Sequence, residues 1–303
     1  MLVKYLKRLI RETSFGQWLM HYDHRIDVLE QKLLEMRMEL VKFHSPDYES
    51  EANFILQNGY AQYPYKRLRE LETFDSGFDK IEKLPFVVHK GKRLYFPKTE
   101  SEEWCREYYA ICAGVEAILG GKYLEKHPHQ YQSANCKIED GDVLADVGCA
   151  EALMVLDNIE KISKAYMFEC DPRWFAPLKA TFKNYKDKVK IICKFVSDVD
   201  GDDTITLRTA LKDEIDRKIF VKMDIEGAEV PVLTGNKDFF ASRDGIKLAV
   251  CTYHRQDDAR QILSLFNEMG FKHEFSEGYM YLSDFDKYDQ FPYFRKGVLR
   301  GWK

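Results

Sequence analysis

No stretch of the 303-residue sequence approaches the roughly 20 consecutive apolar residues that a membrane-spanning helix needs. The opening residues, MLVKYLKRLIRET, are basic and partly apolar, but they contain no long apolar run and no small-residue cleavage site. We therefore expect no signal peptide. The seven cysteines are scattered and none belongs to a C-x-x-C pair, which disfavours a disulfide framework and a zinc site. These absences predict a soluble, cytoplasmic protein.

An excess of positive charge is also missing, because 46 Lys and Arg residues are set against 50 Asp and Glu residues. The net charge of −4 gives no sign of the clustered basic surface that binds nucleic acid phosphates. We therefore do not expect DNA or bulk RNA as a partner. Hydrophobic residues make up 45% of the chain, which is enough for a substantial core.

Two apolar patterns mark residues 1–80, which we predict to be a helical N-terminal region. Residues 1–12 suit a short basic amphipathic helix, either in peripheral contact with a membrane or packed on a neighbouring helix. Residues 15–43 repeat apolar side chains in alternating steps of four and three, as the a/d seam of a coiled coil does. The seam comprises Phe15, Leu19, Tyr22, Ile26, Leu29, Leu33, Met36, Leu40 and Phe43. It predicts a homodimer; the alternative is an antiparallel helical pair within one chain.

Residues 81–303 are predicted to form an α/β domain. A hairpin and a helix over residues 85–119 precede its core as an extension, and the core covers residues 138–285. Strand and helix patterns alternate in this core, which predicts a mainly parallel, doubly wound sheet. Its seven predicted strands are residues 142–148, 165–170, 188–198, 217–227 and 246–254, followed by a terminal antiparallel hairpin of residues 272–275 and 279–282.

The first of these strands ends in a turn that suits a ligand, because such sheets bind ligands beyond the carboxyl ends of their strands. Gly148 permits a tight turn and a close approach to the backbone. The dinucleotide motif G-x-G-x-x-G is absent, since Ala150 and Ala152 occupy the later glycine positions. A pyrophosphate needs that space, whereas S-adenosylmethionine has no phosphate, and Asp146 can attract its ammonium group. This turn therefore favours S-adenosylmethionine over NAD.

Carboxylates also end the other strands. Glu169, about 20 residues beyond the glycine turn, suits the ribose hydroxyls of either cofactor. Asp198 suits the adenine amino group, while Asp224 and Glu226 follow a buried strand where unpaired carboxylates are costly. In all, we predict cofactor contacts from Asp146, Gly148, Cys149, Glu151, Glu169, Cys170, Asp198, Asp224 and Glu226.

Residues 138–255 resemble the FkbM family of methyltransferases. The segment KMDIEGAEVPVLTG closely matches the family signature K-I-D-V-E-G-A-E-x-x-V-L-x-G, and DVGCAEA, MFECDP, FVSDVDG, TLRTAL and CTYHRQDD resemble its other segments. Ala152 replaces a usual glycine, and Arg208-Thr209 stand where acids are usual. The resemblance implies a Rossmann-like class I methyltransferase sheet and S-adenosyl-L-methionine as cofactor. It also implies O-methylation of a sugar, a glycan precursor or a similar small molecule.

Methyl transfer to a hydroxyl benefits from a general base. His254, at the end of the fifth strand, is the first candidate because its ordinary pKa lies near neutral pH, and Asp224 is the second. His129 and Tyr131 are candidates for the pocket lining. The resemblance demands no metal ion, and we expect none. Two alternatives are an NAD-dependent oxidoreductase and a catalytically inactive scaffold or assembly protein that works through its coiled coil.

Overall fold

The computed structural model describes residues 14–65, 74–119, 127–282 and 291–303. The predicted amphipathic helix over residues 1–12 therefore lies outside the described residues. Internal contacts divide the chain into two units, the first ending at Pro64 and the second beginning at Tyr65. Across the described ranges, no helix combines the length and the apolar character needed to cross a bilayer.

Among its described residues, the first unit contains two α-helices in contact, α1 (Ser14–His44) and α2 (Glu49–Asn58), with a short 3-10 helix over Pro46–Tyr48 between them. Ser45 and Pro46 follow α1, and proline lacks the amide hydrogen that would continue the helix. Met38 and Val41 of α1 are fully buried. The seam residues in the second half of α1 are instead exposed: Leu29, Leu33, Met36, Leu40 and Phe43. The helix predicted over residues 15–43 is present, and its pairing through the seam stays a prediction.

The second unit begins with a small three-stranded antiparallel sheet, followed by one helix. These elements are β1 (Ser76–Asp79), β2 (Leu84–His89), β3 (Lys92–Tyr95) and α3 (Glu102–Ala110). Ser101 caps α3 by accepting a hydrogen bond from the backbone amide of Trp104. The helix then continues as a single wide turn over Ile111–Val115. The hairpin and the helix predicted over residues 85–119 are both present.

The described residues from 127 onward form eleven strands and six α-helices. The strands are β4 (Val143–Val147), β5 (Lys164–Phe168), β6 (Val189–Ile192), β7 (Phe195–Val196), β8 (Thr204–Ile205), β9 (Ile219–Met223), β10 (Ile246–Cys251), β11 (Lys272–Phe275), β12 (Met280–Tyr281), β13 (Phe294–Arg295) and β14 (Val298–Trp302). The helices are α4 (Leu153–Asn158), α5 (Phe175–Thr181), α6 (Leu207–Ala210), α7 (Glu229–Gly235), α8 (Lys237–Ala241) and α9 (Asp258–Glu268).

Seven of these strands form the central sheet, in the order β11–β14–β10–β9–β4–β5–β6. The five strands from β10 to β6 in this order are parallel, and β14 runs antiparallel to both of its neighbours. The predicted α/β fold with a mainly parallel seven-stranded sheet is confirmed. The strand order reverses between β4 and β9, which makes their carboxyl ends the expected ligand-binding edge.

Apolar side chains cover both faces of this sheet, so its strands are buried on both sides. Along β4, Leu144 belongs to one buried cluster, whereas Val143, Ala145 and Val147 belong to the other. All five residues of β4 and all five of β9 are buried. The polar side chains that follow these two strands are consequently held against a rigid support.

Three elements differ from the sequence predictions. Residues 76–79 form β1, although no strand was expected before residue 85. The third predicted strand, 188–198, divides into β6 and β7, and β7 pairs with β8 outside the central sheet. The predicted terminal hairpin of 272–275 and 279–282 is wrong, because β11 pairs with β14 and β12 pairs with β13. The antiparallel end of the sheet is therefore completed by the last residues of the chain.

Candidate active site

Gly148 and Asp224 meet at the point where the strand order reverses. They directly follow β4 and β9, which are paired in parallel. Gly148 has a φ of +73°, and a Cβ atom there would collide with the carbonyl oxygen of Asp224. Only glycine relieves both constraints. The structure thus brings together the two strand ends that the sequence marked as the centre of the site.

The turn after β4 holds two further residues in the left-handed region. Ala150 has a φ of +43° and Ala152 a φ of +58°, a conformation that costs a residue with a Cβ atom about 1–2 kcal/mol. α4 begins directly afterwards at Leu153. Ala152 thus adopts a glycine-like conformation where glycine is the usual residue in the family that the sequence resembles.

Five predicted cofactor residues line one cavity above this turn: Asp146, Gly148, Cys149, Glu151 and Asp224. Tyr108 and Glu116, which come from α3 and the residues after it, line the same cavity, as do Tyr131 and Lys222. Sequence analysis had not selected Tyr108, Glu116 or Lys222. The cavity therefore lies between the strand ends and the segment before β4.

Two more predicted cofactor residues lie near the turn but not in the cavity lining. The carboxylate of Glu169 is buried and accepts hydrogen bonds from the backbone amides of Ala150 at 2.9 Å and Asp171 at 2.8 Å. Glu169 therefore holds the glycine turn from the side. The next residue, Cys170, is exposed.

Asp198 lies outside the cavity lining as well. It is exposed, accepts a hydrogen bond from the hydroxyl of Ser197 at 2.9 Å, and packs against the backbone of Gly235 at the end of α7. Its predicted contact with adenine has no counterpart among the cavity residues and stays a prediction.

Lys222 and Asp146 form a buried ion pair behind the turn. Lys222 Nζ lies 3.1 Å from Asp146 Oδ1 and donates a hydrogen bond of 2.5 Å to the carbonyl of Gly148. Burial raises the pKa of Asp146. Burial alone would lower the pKa of Lys222, but the charges of Asp146 and Asp224 hold it above its ordinary value. The ammonium group thus balances part of the negative charge around the cavity and anchors the turn to β9.

Two other acids that line the cavity have raised pKa values. Burial raises the pKa of Glu151 to about 7, although the hydroxyl of Tyr108 donates to its carboxylate at 3.1 Å. Burial likewise raises the pKa of Glu116. A bound cation would favour the charged form of both acids. The lining is therefore poised to accept positive charge.

Asp224 is the hub of a dense polar cluster. Its carboxylate accepts hydrogen bonds from the hydroxyls of Tyr131 at 2.9 Å and Tyr253 at 3.2 Å. Burial alone would raise the pKa of Asp224, but the interaction with the His129 side chain and the positive charge of Lys222 hold it well below its usual range. Asp224 therefore remains ionised and orients the groups around it.

The hydroxyl of Tyr131 joins Asp224 to two further side chains. It lies 3.1 Å from His129 Nε2 and 3.6 Å from Cys251 Sγ. His129, Asp224 and Cys251 are close enough to one another to share a metal ion, and the tyrosine hydroxyl is already their common polar partner. His129 and Tyr131, selected from the sequence as pocket candidates, thus belong to the cluster, and Tyr131 also lines the cavity.

His254 is buried beside Asp224, between two carboxylates. Its Nε2 atom lies 3.3 Å from Asp224 Oδ1, and its Nδ1 atom lies 2.9 Å from Oε1 of the fully buried Glu229. Burial alone would lower the pKa of His254, but Glu229, Asp224 and the exposed Glu226, which is 3.8 Å away, raise it. The two closer carboxylates face opposite ring nitrogens, which suits proton transfer along the ring better than a metal ion shared through one nitrogen.

Part of the chain matches a known family model, and several solved structures are similar to it. A family model described as the methyltransferase FkbM domain matches residues 95–273, while no curated protein sequence matches the chain. Among solved structures, the methyltransferase FkbM from Methylobacillus flagellatus KT is 19% identical with a TM-score of 0.43, over 57% of this chain and 46% of that one. The chain thus spans less than half the length of that protein.

Two other solved structures are similar over a comparable part of the chain. Precorrin-6y C5,15-methyltransferase from Geobacter metallireducens GS-15 is 12% identical with a TM-score of 0.38, over 56% of this chain and 85% of that one. Streptococcus pneumoniae Sp1610 in complex with S-adenosyl-L-methionine is 15% identical with a TM-score of 0.36, over 54% of this chain and 67% of that one.

Proposed function

Because the chain belongs to the FkbM methyltransferase family and takes its methyl group from S-adenosylmethionine, we propose that it methylates a hydroxyl of a sugar, a glycan precursor or a similar small molecule in the cytoplasm. The observation that carries this proposal is the position of His254, which lies between the buried Glu229 and Asp224, a residue that lines the cavity. The seven cysteines are all free, as in a reducing compartment.

The charges around the cavity suit this cofactor. Asp146, Glu151, Glu116 and Asp224 are balanced by one cation, Lys222. S-adenosylmethionine brings a sulfonium and an ammonium group, whose positive charges these acids stabilise. The pyrophosphate of NAD would bring negative charge instead, and nothing in the family assignment supports the oxidoreductase alternative.

We assign the cofactor contacts to residues that line the cavity and to Glu169, which lies beside the glycine turn. The turn at Gly148 permits close approach of the methionine part, and the Lys222 ammonium is available to its carboxylate beyond the ion pair with Asp146. Glu151 and Glu116 face the positive charges. Glu169 has further lone pairs for the ribose hydroxyls while it accepts the amide of Ala150.

The bound cofactor supplies an electrophilic methyl group. With that methyl group in place, the acceptor oxygen would bond to the methyl carbon while the carbon–sulfur bond breaks, and the sulfur would keep the electron pair of the broken bond. The acceptor hydroxyl must lose its proton in the same event or shortly after it. We assign this proton to Nε2 of His254, and Glu229 stabilises the resulting imidazolium through Nδ1.

Asp224, the other candidate base, fits an orienting role better. Its depressed pKa makes it a weak proton acceptor, and its two oxygens already serve Tyr131, Tyr253 and His254. A neutral acceptor rich in hydroxyl groups suits these surroundings, because tyrosine hydroxyls and carboxylates exchange hydrogen bonds with it. The exposed Glu226 next to His254 is available to a second hydroxyl of the same acceptor.

The direct test pairs cofactor binding with turnover in His254→Ala. We expect this variant to bind S-adenosylmethionine with unchanged affinity by calorimetry and to lose methyl transfer to a panel of sugars and nucleotide sugars. Unchanged turnover would remove His254 from the base role. Asp146→Ala and Glu169→Ala are expected to lose cofactor binding itself.

We further propose that the chain works as a homodimer through residues 15–43. The exposed half of the seam on α1 supports this, since α1 buries Met38 and Val41 and leaves the seam residues from Leu29 to Phe43 exposed. The same observation favours the second candidate function, a scaffold that assembles through α1 without catalysis. Deletion of residues 1–45 distinguishes the two. A catalyst keeps methyl transfer to a small acceptor after the deletion, whereas a scaffold binds the cofactor, methylates no acceptor and loses its cellular phenotype when these residues are removed.

A further inference from the structure

The exposed seam of α1 carries charge as well as apolar surface. A shallow groove beside it is lined by Lys32, Glu35, Met36, Glu39 and Leu40. Acidic and basic side chains thus flank the apolar residues on a surface whose apolar side chains are 42–70% exposed at Leu29, Leu33, Met36 and Leu40. An apolar stripe of this kind on a long helix marks an interaction site.

We infer that this seam binds the same seam of a second copy in the antiparallel direction, with Leu33 of each chain beside Met36 of the other. The inference rests on the homodimer proposed above and adds the direction and the register of the two helices. The evidence for this direction and register is the order of acidic and basic side chains along α1.

The heptad positions follow from the seam. Leu33 and Leu40 occupy a positions, and Leu29, Met36 and Phe43 occupy d positions. The flanking g positions are Lys32 and Glu39, and the flanking e positions are Glu30, Arg37 and His44. Among the side chains that the structure describes, the g flank thus carries one acid and one base, and the e flank carries one acid, one base and a histidine.

The direction of the helices decides which charges meet. In a parallel pair, a g residue faces the e residue five positions later in the other chain. Lys32 would then face Arg37, and these like charges would repel, while Glu39 would face His44. When one helix is reversed, g residues face g residues and e residues face e residues. Lys32 then faces Glu39 twice by symmetry, and Glu30 faces Arg37 twice.

The same charges select one register. With Leu33 beside Met36, Leu29 lies beside Leu40, and every core layer pairs an a residue with a d residue. A shift by one heptad in one direction would place Lys32 against its own copy. A shift in the other direction would place Glu39 against its own copy. Both shifts bring identical charges together, which is unfavourable.

A single charge reversal separates the two directions. Lys32→Glu creates repulsion with Glu39 in the antiparallel dimer but attraction to Arg37 in a parallel one. We expect about a tenfold rise in the dimer dissociation constant of the full chain by analytical ultracentrifugation, since two pairs change sign. The double variant Lys32→Glu/Glu39→Lys is expected to restore affinity. Tighter dimerisation of the single variant would overturn the inference.

Cross-linking gives an independent readout. In a Cys170→Ser/Cys193→Ser background, which removes the exposed thiols, Leu29→Cys and Leu40→Cys are combined in one chain and oxidised. Peptide mapping is expected to find position 29 joined to position 40, because equal positions lie about 16 Å apart along the axis in the antiparallel register. Links between equal positions would overturn the inference but keep the homodimer, and a monomer at all concentrations would overturn both.

Discussion

Oε1 of Glu229 lies 2.9 Å from Nδ1 of His254, and neither side chain is more than 2% exposed. The same oxygen accepts a hydrogen bond from the backbone amide of Ile225 at 2.8 Å. The backbone just after β9 therefore holds the Glu229 carboxylate in place, and this carboxylate in turn orients the ring of His254. In the sequence, Glu229 is equally compatible with a helix N-terminal acid that serves only the helix dipole.

The pH–rate profile tests this pair. A base must be neutral to accept a proton, so activity is expected to rise with pH through a His254 pKa that lies above its ordinary value. Glu229→Gln removes the charge that favours the imidazolium, so the inflection should move to lower pH. Turnover should fall roughly tenfold or more, with cofactor affinity unchanged.

The matched control is Glu226→Gln. Glu226 lies 3.8 Å from the other ring nitrogen and is exposed, so solvent screens it. We expect it to move the inflection by much less than Glu229→Gln. Equal shifts for the two variants would contradict the special role of Glu229.

Gly148 and Ala152 both have a positive φ in the turn after β4, but we expect substitutions at the two positions to have different effects. Gly148→Ala should abolish cofactor binding and destabilise the fold by more than the roughly 1–2 kcal/mol of a strained φ, because its Cβ atom also meets the backbone of Asp224. Ala152→Gly releases similar strain but removes a buried methyl group, so stability should stay within about 1 kcal/mol. Urea unfolding and calorimetry with the cofactor measure both effects.

The buried pair of Lys222 and Asp146 should behave as a unit. Lys222→Met leaves an uncompensated buried carboxylate and is expected to cost about 3–5 kcal/mol of unfolding free energy. Asp146→Asn in the same chain should recover most of that loss. Lys218→Met is the control, because its pair with Glu139 is exposed and about 3.9 Å long, and its loss should cost less than about 1 kcal/mol. Additive losses in the double variant would contradict the pairing.

Cofactor affinity should depend on pH through Glu151. Its pKa of about 7 means that it is largely protonated below neutral pH and charged above it. A cation binds better to the charged form, so the dissociation constant for S-adenosylmethionine should fall as pH rises through about 7, with release of a proton. Calorimetry in buffers of different ionisation enthalpy measures that release.

The empty protein should respond to pH in the opposite sense. A carboxyl whose pKa is raised by folding contributes stability that is present at low pH and lost as pH rises through its folded pKa. The unliganded protein is therefore expected to lose stability between about pH 4.5 and 7. Glu151→Gln should flatten both this trend and the trend in affinity, and unaltered pH dependence would exclude Glu151 as their source.

The sequence allowed the central strands to be predicted because their apolar runs are continuous, as in strands buried on both faces. β14 was missed for the opposite reason. Arg300 and Gly301 interrupt its apolar pattern, yet Arg300 is buried and donates to the carbonyls of Gln132 and Phe275. Gly301 leaves room for the ring of Phe266. Those partners are distant in sequence, so local pattern cannot reveal them.

The residues of the candidate site likewise divide into those that could be predicted from the sequence and those that only the packing brings to the cavity. Gly148 and Asp224 were predictable, since each directly follows a strong strand and parallel neighbours end at the same edge. Lys222 was not selected because it lies inside an apolar strand, where its side chain direction depends on the pairing of β9 with β4. Tyr108 and Glu116 reach the cavity through the packing of α3 and the residues after it, which no motif spacing encodes.

Glu169 links the occupancy of the cofactor site to the shape of the backbone around it. The carboxylate that is available to a ribose also accepts the amide of Ala150 at 2.9 Å, in a turn that already carries a strained φ. A hydrogen bond from the ribose to the Glu169 carboxylate therefore also acts on the Ala150 peptide, above which the methyl donor would lie. Exchange of the amide hydrogen of Ala150 should therefore slow when the nucleoside arrives, so that a single backbone proton would report on the loading of the enzyme.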